Sequence, residues 1–233
     1  MTRMLLILAL VPLPALASIE NPAHIIPAIN GVAEVEGGDA LTAYTDHSTW
    51  LAEAGGTVTI DFDSIASGTV ITTQLDPYGI SYVSGQSGGG VSIDQIVLSS
   101  SELPFPMFTA GDLPTEPNFI SNDMSSPYYA TGEITFELNH TSKAIGAYVA
   151  DGSPLGDFCI EVFDGGTSLG TITVEPRTLP GDAFVGVVSD EVFDSAKFYA
   201  SSTTDSWGLD NLELNDTTDL YSRTWGAVKT VCF

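Results

Sequence analysis

The 233-residue sequence predicts an all-β protein, an antiparallel jelly-roll-like β-sandwich with one short N-terminal helix. Three observations predict it. Apolar residues alternate with a period of two through a series of short runs. Turn-forming residues separate those runs at intervals of roughly 10–14 residues. Helical spacing is confined to one short segment near residue 50. Twenty-three glycines, with abundant Ser, Thr and Asp, suit many strands joined by turns. The apolar content of 43% is too high for a disordered chain.

The chain opens on the pattern of a secretory signal. Arg3 supplies the positive region, and Met4 to Ala17 is apolar but broken by Pro12 and Pro14. Ala15-Leu16-Ala17 has the small-x-small form cut by signal peptidase, which predicts cleavage before Ser18. Fourteen such residues fall short of the roughly 20 that span a bilayer as a helix. No later stretch reaches that length, so no membrane span is expected in the mature chain. The expected location is secreted, extracellular or cell-surface, with the periplasm as an alternative.

Residues 18–39 read as a flexible leader, 40–215 as the sandwich, and 216–233 as a distinct C-terminal tail. A helix is predicted over 45–54, capped by Thr45 or Asp46 and stopped by Gly55-Gly56, with Trp50, Leu51 and Ala54 on one face. Thr57 to Phe62 is the first strand, with Val58, Ile60 and Phe62 facing one way. Gly79–Val83 and Val91–Leu98 follow. Ser99–Pro117 holds four prolines and reads as a long loop, after which 118–121 is a short strand. The clearest block is 132–214, with strands at 133–138, 143–150, 157–163, 168–174, 183–188, 196–200 and 209–214. Asp164-Gly165-Gly166 between two alternating runs is a strong hairpin signal.

Charge bounds the partners. Thirty acids face six bases, and loss of Arg3 with the signal takes the formal charge from −24 to −25. Such a field repels nucleic acid and anionic lipid and favours cations. The two cysteines, Cys159 and Cys232, can form a disulfide in an oxidising compartment. The other reading is one buried thiol and one terminal thiol. About 215 residues suffice for one good core.

Two short acidic motifs stand far apart: Ile60-Asp61-Phe62-Asp63 and Gly208-Leu209-Asp210-Asn211-Leu212. On an extended strand Asp61 and Asp63 share one face. First and last strands of a sandwich often lie side by side, which would bring Asp210 to them. Three converging carboxylates repel one another unless a hard cation bridges them, and calcium takes six to eight oxygen ligands. The alternative is that these are solvent-facing aspartates on opposite edges.

Several segments together resemble a known class. Phe184-Val185-Gly186-Val187 followed by Trp207-Gly208-Leu209-Asp210-Asn211-Leu212 is similar to the closing strands of jelly-roll modules on exported bacterial proteins of the PEP-CTERM-associated kind. Ile134-Thr135-Phe136, Ala144-Ile145-Gly146-Ala147-Tyr148 and the helix before Ile60-Asp61-Phe62-Asp63 fit the same pattern. The resemblance covers roughly residues 40–215. The sorting motif, the C-terminal span and the basic cluster of that group are not seen here, so its anchoring is not carried over. The motif pair also resembles that of MAM-type and carbohydrate-binding jelly rolls. There an early acidic strand and a late Asp hold a structural cation. The resemblance implies Ca2+ at Asp61, Asp63 and Asp210, with Asn211 the weaker match.

Catalytic signals are thin. His24, His47 and His140 lack metal-binding spacing, and there is no GxSxG elbow. Loop-like sequence places Tyr78, Tyr128 and Tyr129 as candidate sugar-stacking rings, though isolated surface aromatics are common and the simpler reading folds each ring over a sheet edge. Trp50 and Trp207 read as core residues. The expectation is a non-catalytic exported module that binds glycan or extracellular matrix. The alternatives are a secreted polysaccharide hydrolase or lyase, and a structural surface-layer or matrix component. A groove with two carboxylates at its centre favours the enzyme, aromatic lining without such a pair favours binding, and flat sheet faces favour the structural role.

Overall fold

A computed structural model describes residues 32–33, 40–87, 89–99, 114–115, 117–122, 131–150, 157–174, 183–200 and 207–215. Residues 1–17, predicted as a signal peptide, most of the predicted 18–39 leader, Tyr128, Tyr129, Cys232 and the 216–233 tail lie outside these residues.

The described strands are β1 (Val32–Ala33), β2 (Leu41–Tyr44), β3 (Thr57–Ile60), β4 (Ile80–Ser87), β5 (Ser92–Ile93), β6 (Gln95–Ser99), β7 (Asn118–Asn122), β8 (Thr131–Ala150), β9 (Phe158–Asp164), β10 (Thr167–Val174), β11 (Ala183–Ala200) and β12 (Gly208–Asn215). One helix, α1, spans His47–Ala54, and a single 3-10 turn covers Asp76–Tyr78. Every pairing between strands is antiparallel. The predicted all-β sandwich with one short helix is the fold observed.

Two strands organise the layers. The sequence predicts breaks at 139–142 and 189–195, but β8 runs for 20 residues and β11 for 18. Their ladder shifts register between Val188 and Phe193 and again between Phe193 and Ser195. Bulges of this kind bend a strand without ending it. Each long strand therefore serves both layers. In the first layer the order is β10, β9, the C-terminal half of β11, the N-terminal half of β8, β4, β5. In the second it is β1, β2, the N-terminal half of β11, the C-terminal half of β8, β12, with β3 and the β7–β6 pair continuing from β12.

The core lies between the layers. Ile134 and Phe136, Ile160 and Val162, Ala196 and Phe198 alternate inward and are fully buried. Phe136 meets Phe198 edge-on at 5.8 Å between centroids, and Phe158 meets Trp207 at 5.0 Å. Trp207 is a core residue, as predicted. The Asp164-Gly165-Gly166 turn closes the β9–β10 hairpin, with both glycines at positive φ, 55° and 78°.

Helix α1 forms where predicted. The Asp46 carboxylate accepts bonds from the Thr49 amide (2.8 Å) and from the Ser48 and Thr49 hydroxyls (2.7 Å each), which caps the helix. Those bonds hold the Asp46 carboxyl down at about 2. Trp50 and Ala54 are buried, but Leu51 is exposed, so the predicted three-residue face is narrowed to two. At the far end, the Asn215 side chain donates to the carbonyls of Ala54 and Gly56.

Candidate functional site

Two places carry chemistry, and the acidic motifs make the first. Strands β3 and β12 are neighbours, with Leu212 opposite Ile60 and Leu214 opposite Val58. The predicted adjacency of opening and closing strands is therefore present. The geometry of the first motif differs from expectation. Strand β3 stops at Ile60, and Phe62 turns to φ 58° with its ring buried. A bulky residue in the left-handed region is costly, and burial of the ring in the core opposes that cost. Asp61 and Asp63 consequently do not share a strand face. Asp61 is exposed and accepts the amide of Asp63 (3.2 Å), whereas Asp63 accepts the amide of Asn118 (2.9 Å).

On the other side, β12 bulges between Asp210 and Glu213, and Asn211 takes φ 44°. Phe62 and Asn211 are the two non-glycine residues at positive φ among the described residues, and both belong to these motifs. The Asp210 side chain is fully buried. Its oxygens accept the Thr115 amide (3.2 Å), the Thr115 hydroxyl (3.1 Å) and the Asn211 amide (2.7 Å). Thr115 Oγ1 also donates to Asn211 Oδ1 at 3.2 Å. Burial pushes the Asp210 carboxyl up to about 7; these bonds oppose the rise and the negative charge of Asp63 adds to it. Among the described residues, no group of three His, Cys, Asp or Glu is arranged to hold a metal. The oxygens that gather are those of Asp63, Asp210, Asn211 and Thr115. They are hard donors of the kind calcium takes, with two carboxylates where the sequence predicts three.

The second place is the outer face of the first layer. Register sets its rows. Tyr82 lies opposite Glu137 and Glu137 opposite Ser195; Ser84, Thr135, Lys197 and Glu161 form the next row; Gln86, Glu133, Tyr199 and Cys159 the third. Tyr82 is 59% exposed, the most of any large apolar residue among those described. Phe163 and Tyr199 stand on the same face, half-buried, with the Lys197 ammonium 5.5 Å and 5.1 Å from their ring centroids. Burial pulls the Lys197 ammonium down, but the bond and charge of Glu161, 2.7 Å away, hold it above its ordinary value. Between β4, β5 and the 70–72 segment runs a groove of about 570 Å³, lined in part by Tyr82, Gln86, Asp94, Glu133 and Thr72.

The remaining predicted site residues fall as follows. Tyr78 sits in the 3-10 turn, half-buried, with its ring against the core and away from the groove. Tyr128 and Tyr129 lie outside the described residues. Cys159 is buried, its thiol pushed up by burial, with Sγ 3.6 Å from Thr173 Oγ1. The predicted bridge to Cys232 lies outside the described residues. His140 packs over Gly79, whose φ of 90° and lack of a side chain make room for the ring. His47 bonds through Nε2 to Glu213 Oε1 at 2.8 Å.

Sequence reasoning missed Tyr82. Plain alternation puts it on the side of Ile80, but the ladder shifts register between those two residues and turns the ring outward. The available signal was Val83, the next residue and buried, because neighbours on a strand face opposite ways.

No family model matches this chain, and no curated protein matches it. Among solved structures it is similar to the K2 cleaved adhesin domain of Lys-gingipain, at 15% identity and TM-score 0.44, over 69% of this chain and 100% of that one. It is also similar to a carbohydrate-binding module of Cellvibrio mixtus lichenase 5A, at 13% identity and TM-score 0.28, over 52% and 96%. A third is the C-terminal CBM6 of a marine laminarinase from Zobellia galactanivorans, at 13% identity and TM-score 0.26, over 69% and 100%. Likenesses at this level carry no functional argument.

Proposed function

We propose that this protein is an exported, non-catalytic module that binds glycan, free or within an extracellular matrix, on the outer face of the first layer. The observation that carries the reading is Tyr82, 59% exposed beside a groove of about 570 Å³. A ring presented on a rigid strand offers its face to the apolar side of a sugar, and the Gln86, Thr72 and Glu133 side chains at the groove offer hydrogen-bond partners for hydroxyls. A flat, featureless face would instead have favoured a structural surface-layer role. The test is a glycan array and polysaccharide pull-down with the wild type and Tyr82→Ala. Retention of glycan by the wild type and its loss in the variant supports the reading. Equal retention by both overturns it.

A structural calcium ion at Asp63, Asp210 and Asn211 belongs to the same proposal, with Asp61 contributing through its turn. What supports it is a desolvated carboxylate next to a second one, with an amide and a hydroxyl oxygen beside them. Calcium should raise the melting temperature and Asp210→Ala should remove that response. An unchanged melting curve in excess chelator would count against the ion.

One observation favours a second reading as a polysaccharide hydrolase or lyase: Asp94 and Glu133 line the same groove. Strand β4 separates β8, which carries Glu133, from β5, which Asp94 directly follows, and paired-carboxylate hydrolysis needs two carboxyl groups facing one bound sugar. Release of reducing ends from a retained polysaccharide, abolished in Glu133→Gln, would establish that reading in place of the first.

A further inference from the structure

The groove has a charge as well as a shape. Glu137 stands directly across the ladder from Tyr82, and Glu133 stands two rows further along, opposite Gln86. Asp94 lines the facing side of the groove and is exposed. Among the described residues that line the groove none is a base. Lys143 and Lys197 are the two bases of the described residues. The Lys197 ammonium is paired with Glu161 at 2.7 Å; it also feels the charge of Glu133, so it offsets the groove's charge only at that end. The chain as a whole carries a formal charge of −24. The exposed ring thus has one carboxylate across from it and two more along the groove, within a negative field.

We infer that the ligand of this groove is an oligosaccharide bearing free, protonated amino groups, a chain of de-N-acetylated amino sugars. This rests on the glycan-binding reading and specifies its ligand class. The sugar ring lies on Tyr82. Its ammonium groups meet Glu133, Asp94 and Glu137 as charge-assisted donors, and the tyrosine face adds attraction for a cation held over it. Uronic acids and sulfated glycans are repelled by the same carboxylates. Neutral sugars gain the stacking but not the charge.

The experiment is titration calorimetry of the full chain against glucosamine oligomers, their N-acetylated counterparts, polygalacturonate and polylysine, at mildly acidic pH and at low and high salt. One or two partly exposed ion pairs should give the amino form an advantage of about tenfold. That advantage should collapse in high salt. Tyr82→Ala should abolish binding of both forms, whereas Glu133→Gln and Asp94→Asn should remove only the preference for the amino form. Each variant is checked by its melting curve, and Asp94, being exposed, serves where Glu133→Gln fails to fold. Equal, salt-insensitive binding of both forms overturns the inference and leaves the glycan-binding reading in place. Binding of no glycan overturns both. Binding of polylysine without any amino-sugar chain also overturns both and makes a basic polypeptide the partner.

Discussion

The two outer faces of this sandwich share the long strands β8 and β11 and end in opposite states. Outside the second layer, Gly146 and Gly186 sit opposite each other on β8 and β11. Their missing side chains leave a trough filled by Phe184 and Trp50, whose centroids are 5.3 Å apart. Helix α1 lies over this trough, fixed by the Trp50 indole bonded to the Val187 carbonyl at 3.2 Å, by His47 on Glu213, and by Asn215. Thr57 Oγ1 satisfies the second Glu213 oxygen at 3.0 Å. Outside the first layer no described helix or strand covers the sheet. The same two long strands there display Glu133, Thr135, Glu137, Lys197 and Tyr199. One face closes on a second small core, and the other stays wet with a bare ring on it. A sheet face becomes a binding surface where the chain supplies no cover of its own and rigid neighbours hold the side chains apart.

That contrast can be broken or sharpened by substitution. The largest effect is expected on the covered face. Trp50→Ala should cost about 3–5 kcal/mol, because it empties the trough and releases the helix. For a domain of this size each kcal/mol lowers the melting temperature by roughly 2–4 °C, so the drop is read directly in a thermal melt. A fall of only a degree or two would mean that α1 is not part of the folded unit. Gly186→Ala tests the trough from beneath. Its added carbon would come within 2.7 Å of the Trp50 ring and 2.9 Å of the Phe184 ring, so it should cost about 1–3 kcal/mol by overpacking.

The acidic pocket at the edge of that same layer gives a pH test. Its carboxyl titrates at about 7 in the folded chain and at the ordinary 3.8 when unfolded. Between those values the folded state holds the extra proton, so without calcium stability should fall as pH rises from about 4 to 7. Calcium in place of the proton should flatten the fall. The measurement is a series of melts across that range, with calcium and with chelator. A slope that calcium leaves untouched would argue for a protonated Asp210 and no ion. The smallest effect on stability is expected on the bare face. Tyr82→Ala should move stability by no more than about 0.5 kcal/mol, since most of its ring is already in water. A large loss there would show the ring to be structural and would undo the contrast.

The sequence carried much of this at the level of elements. Alternation located the strands from β3 onward but not β1 and β2, Thr45 or Asp46 and Gly55-Gly56 bounded the helix, and Asp164-Gly165-Gly166 placed the hairpin. It also suggested that the two acidic motifs meet, and β3 does pair with β12. It misread two particulars and missed a third for one shared reason. The continuity of β8 and β11, the end of β3 at Ile60, and the outward turn of Tyr82 all depend on a local shift of register or a left-handed residue.

Side-chain order along the chain states which residues avoid water, and that is a local property. It was enough for the all-β class, the layered build, the capped helix and the overall negative field. It does not state where a strand bends or which partner lies across the ladder. Those follow from closing one layer over the other, when bulges bend β8 and β11 from one layer into the next and Phe62 and Asn211 are held in conformations they would not take alone. The burial of Asp210 and the exposure of Tyr82 are outcomes of that closure, so both candidate sites were decided by packing between distant segments.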